Sequence, residues 1–410
     1  MLSLEFGRLL MESGASARFV DEIVITVARG LGAERVELRI GYASLAATVG
    51  IGSEGITRMR KVGPLGVNQR LGDALRELAG AVQRRELTAS AAWSRLGDLT
   101  SASPRHPGWL VDVSVGVACA SFGRLLGVDW AALGAVFLAA MVGQWVRRRL
   151  AAYQVNVFIA ASVVAFVASA ASGMGARLLG SLTVDKAMLA SVLLLVPGVP
   201  AINAQDDILE GHPTLGSARA VWVLVTLAFL SVGVWLGQML LGDWRLVGTG
   251  NRSVAASDMA YLLHQSVFGG LAAVGFGVLF NMSGKALLWS GVSGALALMI
   301  RTTGMGLGWT LEGASFAAAL IVGCGVRFYP DRVGVSRNTL AVAGCIPMIP
   351  GGFAAKAILG LIALTQPVVQ NADQTHITSV QDALRVVFTV GAMGTGLAIP
   401  SMLLRVRRLS

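Results

Sequence analysis

Charge is what this chain of 410 residues has least of. Asp, Glu, Lys and Arg make up 14% of it, where soluble domains carry about 25%. That shortfall excludes an ordinary soluble globule and points to a membrane. Cysteine is scarce too. Cys119, Cys324 and Cys345 all lie in apolar runs without metal-ligand spacing, so they read as small buried hydrophobes and no metal site is expected. No phosphate-binding loop of the ATP-hydrolysing type occurs, which argues against ATP-driven pumping. Gly50-Ile51-Gly52-Ser53-Glu54-Gly55 has the spacing of a dinucleotide fingerprint but opens no helix of a βαβ unit, so no cofactor is expected. Residues 1–108 hold a single histidine, His106, in a linker. No nucleophile therefore has a nearby base, and a hydrolase-like membrane enzyme is the weaker reading. No basic stripe with interleaved aromatics occurs around Trp93 and Trp109, which argues against nucleic acid. No cleavable signal peptide opens the chain; Glu5, Arg8 and Glu12 among apolar positions read as an amphipathic helix.

What is present is apolar length. Hydrophobic residues make up 54%, mean hydropathy is +0.67, and 51 glycines allow close helix packing. The net charge of +10 fits loops facing an anionic leaflet. Residues 1–108, about a quarter of the chain, hold 25 of its 56 charged residues and read as a small soluble α+β domain. Helical periodicity runs over 2–30, divided at Gly14; alternating segments at 35–40, 44–50 and 56–62 read as strands; helices follow at 68–80 and 88–99. Arg58, Arg60 and Lys61 read as a solvated basic edge, with a regulatory or assembly surface as the alternative.

From residue 109 the chain reads as two membrane halves, 109–245 and 246–410. Apolar runs lie at 110–126, 130–146, 155–177, 187–204 and 218–241, then at 261–282, 286–300, 305–326, 340–364 and 383–404. Most approach the roughly 20 residues that a spanning helix needs. Arginines at 147–149, at 327, 332 and 337, and at 405, 407 and 408 fall on one side if the soluble domain is there too. The positive-inside rule makes that side, with both termini, cytoplasmic. Five spans per half make the halves inverted if they are repeats.

The fourth span of each half is interrupted. Val196-Pro197-Gly198-Val199-Pro200 precedes Asn203, Asp206, Asp207 and Glu210; Ile346-Pro347-Met348-Ile349-Pro350-Gly351-Gly352 precedes Lys356. Proline removes a donor and glycine adds freedom. Paired interruptions in matching places of two halves point to a transporter's substrate site. Pro197, Gly198, Pro200, Asn203, Pro350, Gly351 and Lys356 are the substrate-site candidates. An amino acid carboxylate suits the start of a half-helix after Pro200 or Pro350, and its ammonium suits unwound carbonyls near 196–199. Asn203, Thr310 or Gln265 can serve a substrate hydroxyl. Ionisable residues at membrane depth are functional candidates by default. Glu312 is the first choice for a proton carrier, and Asp206 and Asp207 follow. Asp112 reads as an interfacial cap, and His264 as a packed histidine.

Leu9-Leu10-Met11-Glu12-Ser13-Gly14-Ala15, Val20-Asp21-Glu22-Ile23 and Gly32-Ala33-Glu34-Arg35-Val36-Glu37 resemble the start of the threonine/serine exporter family. The run 195–204 resembles that family's first membrane half and 345–351 its second, which in some relatives are separate polypeptides. The resemblance implies proton-driven export of small hydroxy amino acids across the inner membrane, and some split relatives are associated with dicarboxylate export. The expected partners are a small-molecule substrate, protons and the lipid bilayer, with a homo-oligomer left open.

Overall fold

The computed structural model describes all residues except 52–53, 103, 243–258, 327–336, 365–371 and 410. Helices α1 (Leu2–Glu12) and α2 (Ala17–Gly30) open the chain. Gly14 between them has φ of 82°, a conformation that glycine adopts without a Cβ clash. Strands β1 (Arg35–Ile40), β2 (Ser44–Ile51) and β3 (Glu54–Lys61) form an antiparallel meander in the order β1-β2-β3. Side chains alternate along β2, so Leu45 and Ala47 are buried against the helices. Helices α3 (Gln69–Gln83) and α4 (Ala89–Ala102) complete the unit. Its core gathers Phe6, Leu10, Met11, Val24, Leu45 and Leu75. Each such burial contributes about 1.5–3 kcal/mol before entropy is counted.

The rest is helical: α5 (Gly108–Leu125), α6 (Trp130–Ala152), α7 (Val157–Leu178), α8 (Val184–Ala190), α9 (Gly198–Leu209), α10 (Pro213–Leu240), α11 (Met259–Leu279), α12 (Gly284–Gly306), α13 (Leu311–Gly325), α14 (Arg337–Cys345), α15 (Gly351–Leu364) and α16 (Ala372–Leu409). Among the described residues seven helices are long and apolar enough to cross a membrane. Two bent pairs also qualify, Val184–Leu195 with Gly198–Leu209 at 55° and Ala341–Met348 with Gly351–Ile362 at 44°. The chain is a multi-pass helical membrane protein with a small sheet-containing unit at its start. Helix α13 has 15 residues and is shorter than a usual span. The eighth run, expected over 305–326, starts later because residues up to Gly306 still belong to α12. The ninth begins within an expected arginine cluster, of which Arg327 and Arg332 lie outside the described residues.

This N-terminal unit covers one face of the helical region, here the near face. Helices α9 and α10 reach it at Asp207, Glu210 and Leu215, and the α11–α12 turn reaches it at Phe280, Asn281 and Met282.

Candidate functional site

The two interruptions share one local build. In the first, a 3-10 turn at Leu193–Leu195 leads to Val196, whose N–H donates to Leu193 O at 3.2 Å. The Gly198 N–H then folds back to Val196 O at 2.8 Å around Pro197, with φ −78° and ψ 67°. That is an inverse γ-turn, which proline permits because its own N–H is not needed. The Ala201 N–H donates to Pro197 O at 3.1 Å and opens α9. In the second, the 3-10 turn is Ile346–Met348, and Ile349 N–H donates to Ile346 O at 3.0 Å. Gly351 N–H donates to Ile349 O at 2.8 Å, and Ala354 N–H to Pro350 O at 3.0 Å. Pro350 thus stands where Pro197 does, Gly351 where Gly198 does, and Lys356 where Asn203 does.

The two interruptions also pack on each other reciprocally. A Cβ on Gly198 would run into Ile349 Cδ1. One on Gly351 would meet Val196 Cγ2 at 3.1 Å. Residue pairs exchanged in this way are what a two-fold relation produces. Gly198→Ala is expected to cost about 1–3 kcal/mol through overpacking. Gly352→Ala, whose Cβ meets Leu126 Cδ2 at 3.5 Å, is expected to be near neutral. Thermal unfolding of the two variants in the same detergent checks the difference; equal midpoints would mean that the interruptions do not press on each other.

A cavity of about 130 Å³ lies where the interruptions meet α5, α11 and α12. Its walls are mainly apolar, with Phe122, Leu126 and Phe276 among them. Its charged side chains are Arg301 of α12 and Lys356 of α15; no carboxylate is among the described residues that line it. Arg301 Nη1 donates to Met348 O at 3.1 Å, the carbonyl just before the second interruption. Lys356 Nζ lies 5.9 Å from the centre of the Phe353 ring and holds no ion pair among the described residues. Asp382 and Asp185 act on it at longer range, opposed by Lys186 and Arg385. Gln265, 7% exposed, adds an amide. Gly351, Gly352 and Phe353 form the first turn of α15, where N–H groups lack intrahelical acceptors and the helix end is positive.

Pro197, Gly198, Pro350, Gly351 and Lys356 are therefore brought together. Pro200 lies in the first turn of α9, where its missing N–H costs nothing. Asn203 points away from the cavity, and its Nδ2 donates to Gly14 O at 2.9 Å. Asp207, 1% exposed, accepts from Ala17 N–H at 2.8 Å and pairs with Arg219 at 2.5 Å. Asp206 borders a second, smaller cavity between α2, α9, α14 and α16, together with Arg18 and Glu210. Glu312 sits in the first turn of α13, where Thr310 Oγ1 caps Gly313 N–H at 3.2 Å; neither residue lines the cavity. Asp112 forms an ion pair with Arg148. The His264 ring packs 4.6 Å from that of Phe268, centre to centre. Among the described residues no three His, Cys, Asp or Glu side chains gather to hold a metal.

Arg301 is the site residue that sequence reasoning missed. The apolar run at 286–300 stops one residue before it and so does not single it out. The signal was available: a charge with apolar sequence on its N-terminal side and Gly304-Met305-Gly306 still to come before the helix ends.

Comparison with known proteins gives this arrangement a context. The profile of a family described as "Putative threonine/serine exporter" matches residues 1–241, and that of "Threonine/Serine exporter, ThrE" matches residues 265–403. The chain belongs to the threonine/serine exporter family. The two profiles cover it as two halves fused in one polypeptide. A protein of Klebsiella aerogenes named "Probable succinate transporter subunit YjjP" is 31% identical over 244 residues, 59% of this chain and 93% of the relative. Its namesake in Escherichia coli K12 is 32% identical over 248 residues, 60% of this chain and 95% of the relative. An uncharacterized protein of Haemophilus influenzae is 28% identical over 182 residues, 44% of this chain and 58% of the relative. No solved structure matches. Family and relatives together make this chain a membrane transporter of the exporter type.

Proposed function

We propose that this exporter carries small dicarboxylates of the succinate type, bound between the two interruptions. One observation carries the reading: the cavity presents two cations, Arg301 and Lys356, beside the positive end of α15, with no carboxylate among its described lining residues. A dianion gains from both cations and from the helix end. A threonine or serine zwitterion brings an ammonium that would face Arg301 and Lys356 without a counter-charge. The names of the two enterobacterial relatives point the same way. The family description favours hydroxy amino acids, so threonine and serine are the competing substrates.

The halves act as inverted repeats in the inner membrane, with the soluble unit on the cytoplasmic side. The matched turns and the reciprocal Gly198–Ile349 and Gly351–Val196 contacts support this, as does Arg147-Arg148-Arg149 near the near-face end of α6. Export is coupled to protons. Asp206 is the carrier favoured by position, since Asp207 is engaged by Arg219 and Ala17 and Glu312 lies in the opening turn of α13. Binding is tested on the purified protein by thermal unfolding with succinate, threonine or serine at equal concentration. Succinate at about 100 times its Kd is expected to add about 2.7 kcal/mol and raise the midpoint. Stabilisation by threonine or serine with none by succinate would reverse the assignment.

A further inference from the structure

The helices around the cavity fall into two groups that are joined by α7, which packs on both α6 and α10, and by α13, which packs on both α12 and α16. In one, α6 packs on α5, α5 on α11 and α11 on α12. In the other, α9 packs on α10, α10 on α15, α15 on α16, and α16 returns to α9. The cavity lies between them, with Leu126, Gln265 and Arg301 from the first group and Gly198, Gly351 and Lys356 from the second.

The soluble unit is attached to both groups, and the two attachments differ in kind. Toward the second group the contact is buried and charged. Asp207, 1% exposed, joins Ala17 N–H and Arg219, which is 3% exposed and also donates to Ala15 O at 2.8 Å. Asn203 holds Gly14 O, Arg18 pairs with Glu210 at 2.8 Å, and Leu215 of α10 lies in the core of the soluble unit. Opening this contact would expose a charge pair and part of a core. Toward the first group the contact is half-buried: Val67 packs against the core that holds Phe276 and Phe280, and Arg70 Nη2 donates to Met282 O at 3.4 Å. Gln69 N–H donates to Phe280 O at 2.9 Å, and Asn281 Nδ2 bonds Asn68 Oδ1 at 2.9 Å and Pro104 O at 3.0 Å. Water can replace such bonds at small net cost. The chain crosses to α5 beside this contact, through 104–107, a stretch without regular structure.

We infer that the soluble unit moves as one body with α9 and α10, and that its α3 edge closes the near side of the cavity by resting on the α11–α12 turn. Opening toward the near face breaks the Asn68–Asn281 contact and turns about residues 104–107, leaving the Asp207–Arg219 contact intact. The inference rests on the cavity being a site exposed alternately to the two faces. It also accounts for the asymmetry of the interruptions: Asn203 is used to carry the soluble unit, while Lys356, at the matching position, is left to the cavity.

Three cysteine pairs test it in the full chain with Cys119→Ala, Cys324→Ser and Cys345→Ala. Asn68→Cys/Asn281→Cys, with Gln69→Cys/Phe280→Cys as an independent second pair, locks the contact expected to open. Arg18→Cys/Glu210→Cys, bridged by a short reducible linker, locks the contact expected to stay closed. The readout is labelling of Leu126→Cys in the cavity by a membrane-impermeant maleimide, applied from the soluble-unit side of sealed vesicles. It needs no substrate, so a chain that does not carry succinate still answers the question. Locking at 68–281 or 69–280 is expected to slow labelling at least 10-fold, reversibly on reduction, while locking at 18–210 changes it less than 2-fold. Unchanged labelling with 68–281 and 69–280 both locked, or loss of labelling with 18–210 locked, would overturn the inference.

Discussion

Lys356→Gln is expected to raise the half-saturation concentration for succinate by 10- to 100-fold, with a smaller effect on any amino acid that the protein carries. A hydrogen bond to a charged group contributes about 1.5–3 kcal/mol, and about 1.4 kcal/mol is a factor of ten in affinity. Lys356 holds no ion pair among the described residues, and the buried Asp382, on which it acts at longer range, keeps Arg385 as a nearby cation when Lys356 is removed. Lys356→Arg keeps the charge and is expected to recover most of the affinity. Arg301→Gln removes a second cation and also the bond to Met348 O, so its maximal rate should fall together with its affinity. Concentration dependence of transport for the three variants separates these effects. Wild-type half-saturation in both Lys356→Gln and Arg301→Gln would mean that the anion binds elsewhere.

Asp207→Ala is expected to destabilise the chain by about 3–5 kcal/mol, because it strands the Arg219 guanidinium, 3% exposed, without its counter-charge. The Ala17 N–H at the start of α2 loses its acceptor as well. Replacing both charges, as Asp207→Ala with Arg219→Met, should recover much of the loss, since the penalty belongs to the unpaired cation more than to the missing bond. Arg18→Ala breaks a half-exposed pair with Glu210 and is expected to cost at most about 1 kcal/mol. Thermal unfolding of the four proteins in one detergent orders them. An Asp207→Ala protein as stable as Arg18→Ala would show that the N-terminal unit is held by its apolar contacts alone.

Local pattern was legible in the sequence wherever it had one cause. The division at Gly14, the alternation along β2 and the two Pro-Gly interruptions each follow from a backbone rule, and each is found where it was read. Partners far apart in the chain were not legible. Nothing in the apolar run around Asn203 indicates that its amide meets Gly14, or that Asp207 caps a helix of the N-terminal unit. Both had been read as facing substrate or protons because they follow an interruption, and the same position in the other half, Lys356, does line the cavity. Glu312 shows a different limit. A boundary set several residues early in an apolar run moves a carboxylate from a helix end to apparent membrane depth, and the Thr310 cap that marks the true start is two residues away. Arg301 is the converse: ending the run one residue short removed from view the cation that bonds the Met348 carbonyl.

Efflux from proteoliposomes preloaded with labelled succinate, threonine or serine, with and without an imposed pH gradient, tests the central claim most directly. Gradient-dependent loss of succinate, abolished in the Lys356→Gln/Arg301→Gln double variant and unmatched by either amino acid, is the expected result. Gradient-dependent loss of threonine or serine with succinate retained would contradict it, and would mean that the two cations between the interruptions do not select the substrate.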